Sequence, residues 1–118
     1  MDNIKSIIID TFKEGAEKLK DDIIDSFEMD LTEDYPSTYW QVEHVIDDIA
    51  GQLEFELYSK DIIDEDFIIK DYISDVDGLR RNLFEILSTP VVNQLEKLGY
   101  DVSIDYFWET VTVEIPHN

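Results

Sequence analysis

The stretch Tyr100-Asp101-Val102-Ser103-Ile104-Asp105-Tyr106, followed by Thr110-Val111-Thr112-Val113-Glu114-Ile115, decides the fold class. Val102, Ile104 and Tyr106 alternate with Ser103 and Asp105, and Val111, Val113 and Ile115 alternate with Thr110, Thr112 and Glu114. A period of two puts one apolar face on each segment, the pattern of half-buried strands. Joined through Phe107-Trp108-Glu109, they read as an antiparallel hairpin whose register is left open, because the connection carries no strong turn signal. Upstream of Gly99 the apolar period is three to four. The expected fold is therefore α+β: a mainly helical single domain, residues 1–118, with a C-terminal antiparallel β-hairpin.

Working back from the hairpin, Gly99 marks the end of a helix through Val91, Val92, Leu95 and Leu98, with Thr89-Pro90 as its N-cap and first position. Asp77 is placed to cap a preceding helix with Leu79, Leu83, Ile86 and Leu87 inward, and Asp64 to cap a short one through Phe67, Ile68, Tyr72 and Ile73. A longer helix is expected over residues 37–58. Thr38 and Gln41 have capping-box spacing, and Val42, Val45 or Ile46, Ile49, Leu53 and Leu57 form its core stripe. Gly51 inside that pattern signals a break or a close helix contact. At the N-terminus, Ile4, Ile8, Phe12, Ala16, Leu19, Ile23 and Phe27 define a long amphipathic helix.

The 118 residues carry 29 Asp and Glu against 9 Lys and Arg, a net charge of -20. Such a balance excludes direct nucleic-acid binding, which needs clustered cations, and disfavours anionic membranes. With 43% apolar and 14 aromatic residues, the chain has the means to fold. Cysteine is absent, which removes disulfides, thiolate metal sites and thiol nucleophiles. No signal peptide or membrane-length apolar run is evident, so a cytoplasmic location in a host cell is the expectation.

Charge is unevenly placed. Residues 21–78 hold 19 acids and only Lys60 and Lys70, a net of -17, and the remaining residues a net of -3. In the first helix, Glu14 with Lys18 and Lys13 with Glu17 are compensating pairs at i, i+4. After Lys20 compensation stops: Asp21, Asp22, Asp25, Glu28 and Asp30 crowd like charges toward the negative end of the helix dipole. Glu33 and Asp34 continue the run, and Glu43, Asp47 and Asp48 resume it on the next helix.

Catalytic and metal chemistry finds little support. Asp75-Val76-Asp77-Gly78 resembles the middle of an EF-hand loop, but that register puts Ile73 and Phe84 where carboxylates are required. His44 has Asp47 and Asp48 at i+3 and i+4 and reads as a surface histidine among acids, and His117 adjoins the C-terminus. The four glycines are isolated, so no phosphate loop exists. No catalytic residue, metal site or cofactor is expected. The aromatic cluster Tyr35-Pro36-Ser37-Thr38-Tyr39-Trp40 supplies interface candidates. Trp40 suits the core, Tyr35 and Tyr39 suit the surface, and Trp108 reads as a cover for one end of the sheet. Phe67, Ile68 and Ile69 offer a homodimer contact or, more simply, core.

Small size, extreme acidity, no cysteine, mixed helices and no catalytic motif together resemble the DNA-mimic inhibitors of phages and mobile elements, including anti-restriction and anti-CRISPR proteins. The resemblance is one of composition and size across the whole chain. It assigns no residue by motif, and the hairpin departs from the all-helical members. It implies a non-enzymatic inhibitor of a basic nucleic-acid-binding protein, a defence nuclease. The candidate contact residues are Asp21, Asp22, Asp25, Glu28, Asp30, Glu33, Asp34, Tyr35, Tyr39, Glu43, Asp47 and Asp48. Two alternatives share the composition: an immunity protein or antitoxin against a basic nuclease toxin, and an acidic structural or adaptor protein.

Overall fold

In the computed structural model, which describes residues 2–116, α1 spans Asp2–Asp30. Ile4, Ile8, Phe12 and Ala16 are buried along it at strict intervals of four. At about 100° per residue such a row advances about 40° with every member, so it winds around the helix. The buried series resumes at Ile24, Phe27 and Leu31, while Leu19 and Ile23, expected inward, are only partly buried.

Residues 37–41 correct the sequence reading. They form β1 (Ser37–Gln41), and α2 begins only at Val42 and runs to Ser59. Thr38, Tyr39 and Trp40 are good strand formers, and their pairing partners lie more than seventy residues away, beyond the reach of local periodicity. Thr38 faces Val113 and Trp40 faces Val111 across an antiparallel ladder to β3 (Thr110–Glu114). β3 also pairs antiparallel with β2 (Asp101–Asp105), Val102 opposite Val113 and Ile104 opposite Val111, so the sheet order is β1-β3-β2. Val111 and Val113 are fully buried at its centre. The capping box does not form. Gln41 is the N-cap without a side-chain cap, and the Val42 N–H donates to the Glu109 carbonyl at 2.9 Å.

Helix α2 buries Val42, Ile46, Ala50, Leu53 and Leu57 and passes Gly51 unbroken, with nothing packed on that glycine. The close approach occurs instead at Gly15 of α1, where an added Cβ would lie 3.2 Å from Ile49 Cδ1. Asp61, at φ 60°, ends α2: its N–H reaches the Tyr58 carbonyl and that of Ile62 the Leu57 carbonyl, a Schellman arrangement. Helix α3 is shorter than expected, Ile69–Asp75. Asp64 caps a turn rather than this helix, accepting from the Asp66 N–H at 3.0 Å, and Glu54 of α2 takes the Ile69 N–H at 2.7 Å.

Helix α4 (Leu79–Lys97) starts after Gly78, not Asp77, and continues through Pro90, where a new helix was expected. Proline inside a helix costs about 3 kcal/mol. Val91, Val92 and Leu95 beyond it are all buried, each contributing about 1.5–3 kcal/mol, so continuing the stripe outweighs stopping. Gly99 (φ 96°) ends the helix as expected, with its N–H on the Glu96 carbonyl and that of Tyr100 on the Leu95 carbonyl.

The chain is thus α+β, mainly helical with a C-terminal antiparallel hairpin, and β1 extends that hairpin to three strands. α1 packs on α4 and α2, one hydrophobic cluster joins helices and sheet, and the body measures 55 × 24 × 21 Å.

Candidate anionic interaction surface

The second half of α1 carries a carboxylate-rich surface. Asp21, Asp22, Asp25, Glu28 and Asp30 are all exposed; Asp22 and Asp25 lie opposite the stripe of Ile24, Phe27 and Leu31, while Asp21 and Glu28 flank it on one side and Asp30 on the other. A tight turn follows, in which Thr32 and Tyr35 exchange backbone hydrogen bonds of 3.1 and 3.2 Å, leaving Glu33 and Asp34 exposed at its tip. Among the described residues, none of these seven carboxylates has a Lys, Arg or His nitrogen within 4.0 Å. The like-charge neighbours at i+3 and i+4 therefore face solvent uncompensated. The Glu14–Lys18 and Lys13–Glu17 pairs expected upstream do not close to contact either; the i, i+4 ion pairs that do are Glu56–Lys60 and Arg81–Glu85.

Both tyrosines of the candidate set lie beside this surface, Tyr35 72% exposed and Tyr39 63%. Asp30 and Tyr39 share a shallow cleft of about 100 Å³ with Ile23, Phe27 and Trp40. Trp40 is half-buried against the core, as its place on the inner face of β1 requires. Met29, 81% exposed amid the acids, adds an apolar contact point outside the α1 stripe.

Of the α2 acids, Asp47 is engaged elsewhere. Asp47 lies 3.5 Å from Arg80 Nη1 on α4, whereas Ile49, about 200° around the helix from it, meets α1. Asp48 is exposed, and Glu43 is 3.9 Å from His44 Nε2. His44 pairs with Gln41 Oε1 at 3.0 Å rather than with Asp47 or Asp48, a surface histidine in a polar setting. The second histidine, His117, lies outside the described residues.

Among the described residues, Arg80 is the cation that meets two carboxylates at once. Its Nε and Nη2 donate to the Glu109 carboxylate in a fork, and Nη1 reaches Asp47. Burial works against the guanidinium charge, but the hydrogen bonds and attraction from Glu109, then Asp47, outweigh it and hold the pKa above its ordinary value.

Two exposed aromatic groups lie outside the candidate set. Phe107 (82% exposed) and Trp108 (66%) stack edge to face at 5.0 Å on the hairpin tip, so Trp108 covers no sheet end. Asp105 shapes that tip by accepting from the Phe107 and Trp108 N–H groups at 2.9 and 3.0 Å. On α2, Phe55 and Tyr58 project outward, a position readable from their phase relative to Leu53 and Leu57. Of the proposed dimer segment, Ile69 is fully buried, Phe67 half-buried and Ile68 exposed. Among the described residues no group of three or more acids or histidines is placed to hold a metal ion, and no helix is long and apolar enough to cross a membrane. Comparison with protein-family models, curated proteins and solved structures finds no match for this chain.

Proposed function

We propose that this protein is a non-enzymatic inhibitor that occupies the cationic nucleic-acid-binding surface of another protein, a defence nuclease, with carboxylates standing in for phosphates. The observation that carries this reading is the spacing of free acids on α1. Asp21, Asp22, Asp25 and Glu28 share one side of the helix within about 11 Å of its length, or about one carboxylate per 3.5 Å, and Asp30 flanks them on the far side. Each strand of a duplex presents one phosphate per about 3.4 Å. An elongated body of 55 × 24 × 21 Å suits insertion into a groove lined for nucleic acid, and the net charge of -20 would speed encounter with a basic partner. Glu33 and Asp34 extend the same surface. Asp47, already paired with Arg80, falls outside it.

The flanking exposed tyrosines favour one alternative, an immunity protein or antitoxin that grips a single nuclease toxin around an aromatic anchor. Retrieval from extracts containing nucleases, eluted with rising salt and with competing duplex DNA, separates the two. Mimicry expects a nuclease released by both, whereas a toxin that DNA fails to displace supports immunity. Undiminished inhibition of the captured enzyme by an Asp21→Lys, Asp22→Lys, Asp25→Lys variant rejects the α1 surface as the contact.

A further inference from the structure

A second surface lies on α2. An open groove of about 260 Å³ runs between that helix and the segment before α3, with Gly51, Glu54, Phe55, Tyr58, Glu65 and Phe67 among its lining. Ile49 packs at Gly15 while Tyr39 and Trp40 sit beside Ile23 and Phe27, so α2 runs antiparallel to α1. Its Phe55–Tyr58 end therefore lies away from the carboxylates of residues 21–34.

The groove combines free aromatic faces with acids alone. Phe55 is 73% exposed and Tyr58 half exposed. The ring pairs among the described residues are Phe67–Tyr72, Phe84–Tyr106 and Phe107–Trp108, and the one cation–ring contact is Arg81 on Tyr106. Phe55 and Tyr58 thus stack on nothing. Every charged residue of the lining is a carboxylate, and Lys60 nearby is held by Glu56 at 3.2 Å. Glu54 is fixed in place because Oε1 accepts the Ile69 N–H, while Oε2 makes no hydrogen bond within the described residues.

Gly51 adds an independent observation. A glycine in mid-helix is costly, yet a Cβ at this position would meet no atom within 4 Å, so packing within the chain does not demand one. What the missing side chain does is leave the groove open beside Phe55.

We propose that this groove receives an arginine side chain from a partner protein. The guanidinium lies on the rings of Phe55 and Tyr58, and its N–H groups donate to Glu54 Oε2 and the Glu65 carboxylate. Arginine fits better than lysine because a planar fork both stacks on rings and pairs with carboxylates. The site requires neither the α1 surface nor the inhibitor reading.

Titration of the isotopically labelled full chain with an acetylated, amidated arginine tripeptide (Gly-Arg-Gly), followed by amide shifts, tests it. Saturable shifts are expected at Gly51, Phe55, Tyr58 and Phe67, with none from the citrulline analogue. Phe55→Ala and Gly51→Leu should each weaken binding about tenfold, with the circular dichroism spectrum unchanged. Asp21→Asn, Asp22→Asn, Asp25→Asn together should leave it intact. Equal binding of the citrulline analogue, shifts spread over all acidic segments, or unchanged affinity in Gly51→Leu overturns the assignment.

Discussion

Arg80 on α4 and Glu109 on the hairpin join in a two-pronged ion pair, Nε to Oε2 at 3.0 Å and Nη2 to Oε1 at 2.8 Å. Glu109 has a positive φ of 51°, and its carbonyl accepts the first N–H of α2. One residue therefore ties together the hairpin end, the start of α2 and the start of α4. The strand β1 and helix α2 meet at this point, which is where the sequence pattern misplaced the helix start.

Removing the charge from this pair is expected to be costly because the Glu109 side chain is only 12% exposed. Glu109→Gln should lower unfolding free energy by about 1.5–3 kcal/mol, the range for hydrogen bonds to charged groups. Asp47→Asn, at 3.5 Å and more exposed, should cost no more than about 1 kcal/mol. Urea denaturation of both variants checks the order, and equal losses would deny Glu109 its central place. Because the folded state raises the Arg80 pKa, its contribution is fully present below the ordinary guanidinium range and lost only as pH rises through the folded value. Stability should therefore show no step from Arg80 between about pH 6 and 10.

The acids of α1 should destabilise the free protein. Asp21 with Asp25, Asp22 with Asp25 and Asp25 with Glu28 are three like-charge neighbours, each costing about 0.2–0.5 kcal/mol. Asp21→Asn, Asp22→Asn, Asp25→Asn together remove these and the Glu17–Asp21 repulsion but also the attraction of Lys18 for Asp21 and Asp22, so stability should rise by about 0.4–1 kcal/mol at low salt. Added salt screens the same repulsion, so it should raise the midpoint of the parent more than that of the variant. Thermal melts at two ionic strengths measure this, and a variant less stable than the parent at low salt would contradict it.

How far the fold was legible follows from the range of the forces that set each element. The α1 helix, the Gly99 stop and the two C-terminal strands depend on neighbours within a few residues and were readable, although the α1 stripe was read through Leu19 and Ile23 where the core takes Ile24. Residues 37–41 were not, because Thr38 and Trp40 take their conformation from Val113 and Val111 at the far end of the chain. The same holds at the start of α3, where the cap comes from Glu54 fifteen residues upstream rather than from Asp64. For the candidate surface, the run of acids was visible as composition, and the exposure of Tyr35 and Tyr39 agreed with expectation. The separation of Asp47 from that surface was hidden, since it depends on which side of α2 meets Arg80.

Gly51 offers a test of stability apart from the binding loss expected of Gly51→Leu. A methyl group there meets nothing within 4 Å and the backbone is helical, so Gly51→Ala should stabilise the protein by about 0.5–1 kcal/mol. Denaturant titration provides the measurement. A loss of stability would mean that the helix needs the glycine for its own packing, and the open groove would then have a structural cause.

Pro90 poses the converse case, a residue that opposes the element containing it. It lies inside α4 and leaves the Ile86 carbonyl without its helical donor, a cost of about 3 kcal/mol. Replacement by alanine restores the N–H but frees the unfolded chain, returning about 0.4–1 kcal/mol to the other side. Pro90→Ala should therefore gain about 2 kcal/mol net, the difference between these two effects. Buried Val91, Val92 and Leu95 hold the second half of the helix in place in either form, so the hairpin that follows Gly99 should keep its register. Equilibrium unfolding gives the energy, and amide exchange at Val91 and Val92 reports whether the two halves open together. Unchanged stability would mean that α4 has already relaxed around the ring and that its two halves fold as separate helices, as the Thr89-Pro90 pair suggests in isolation.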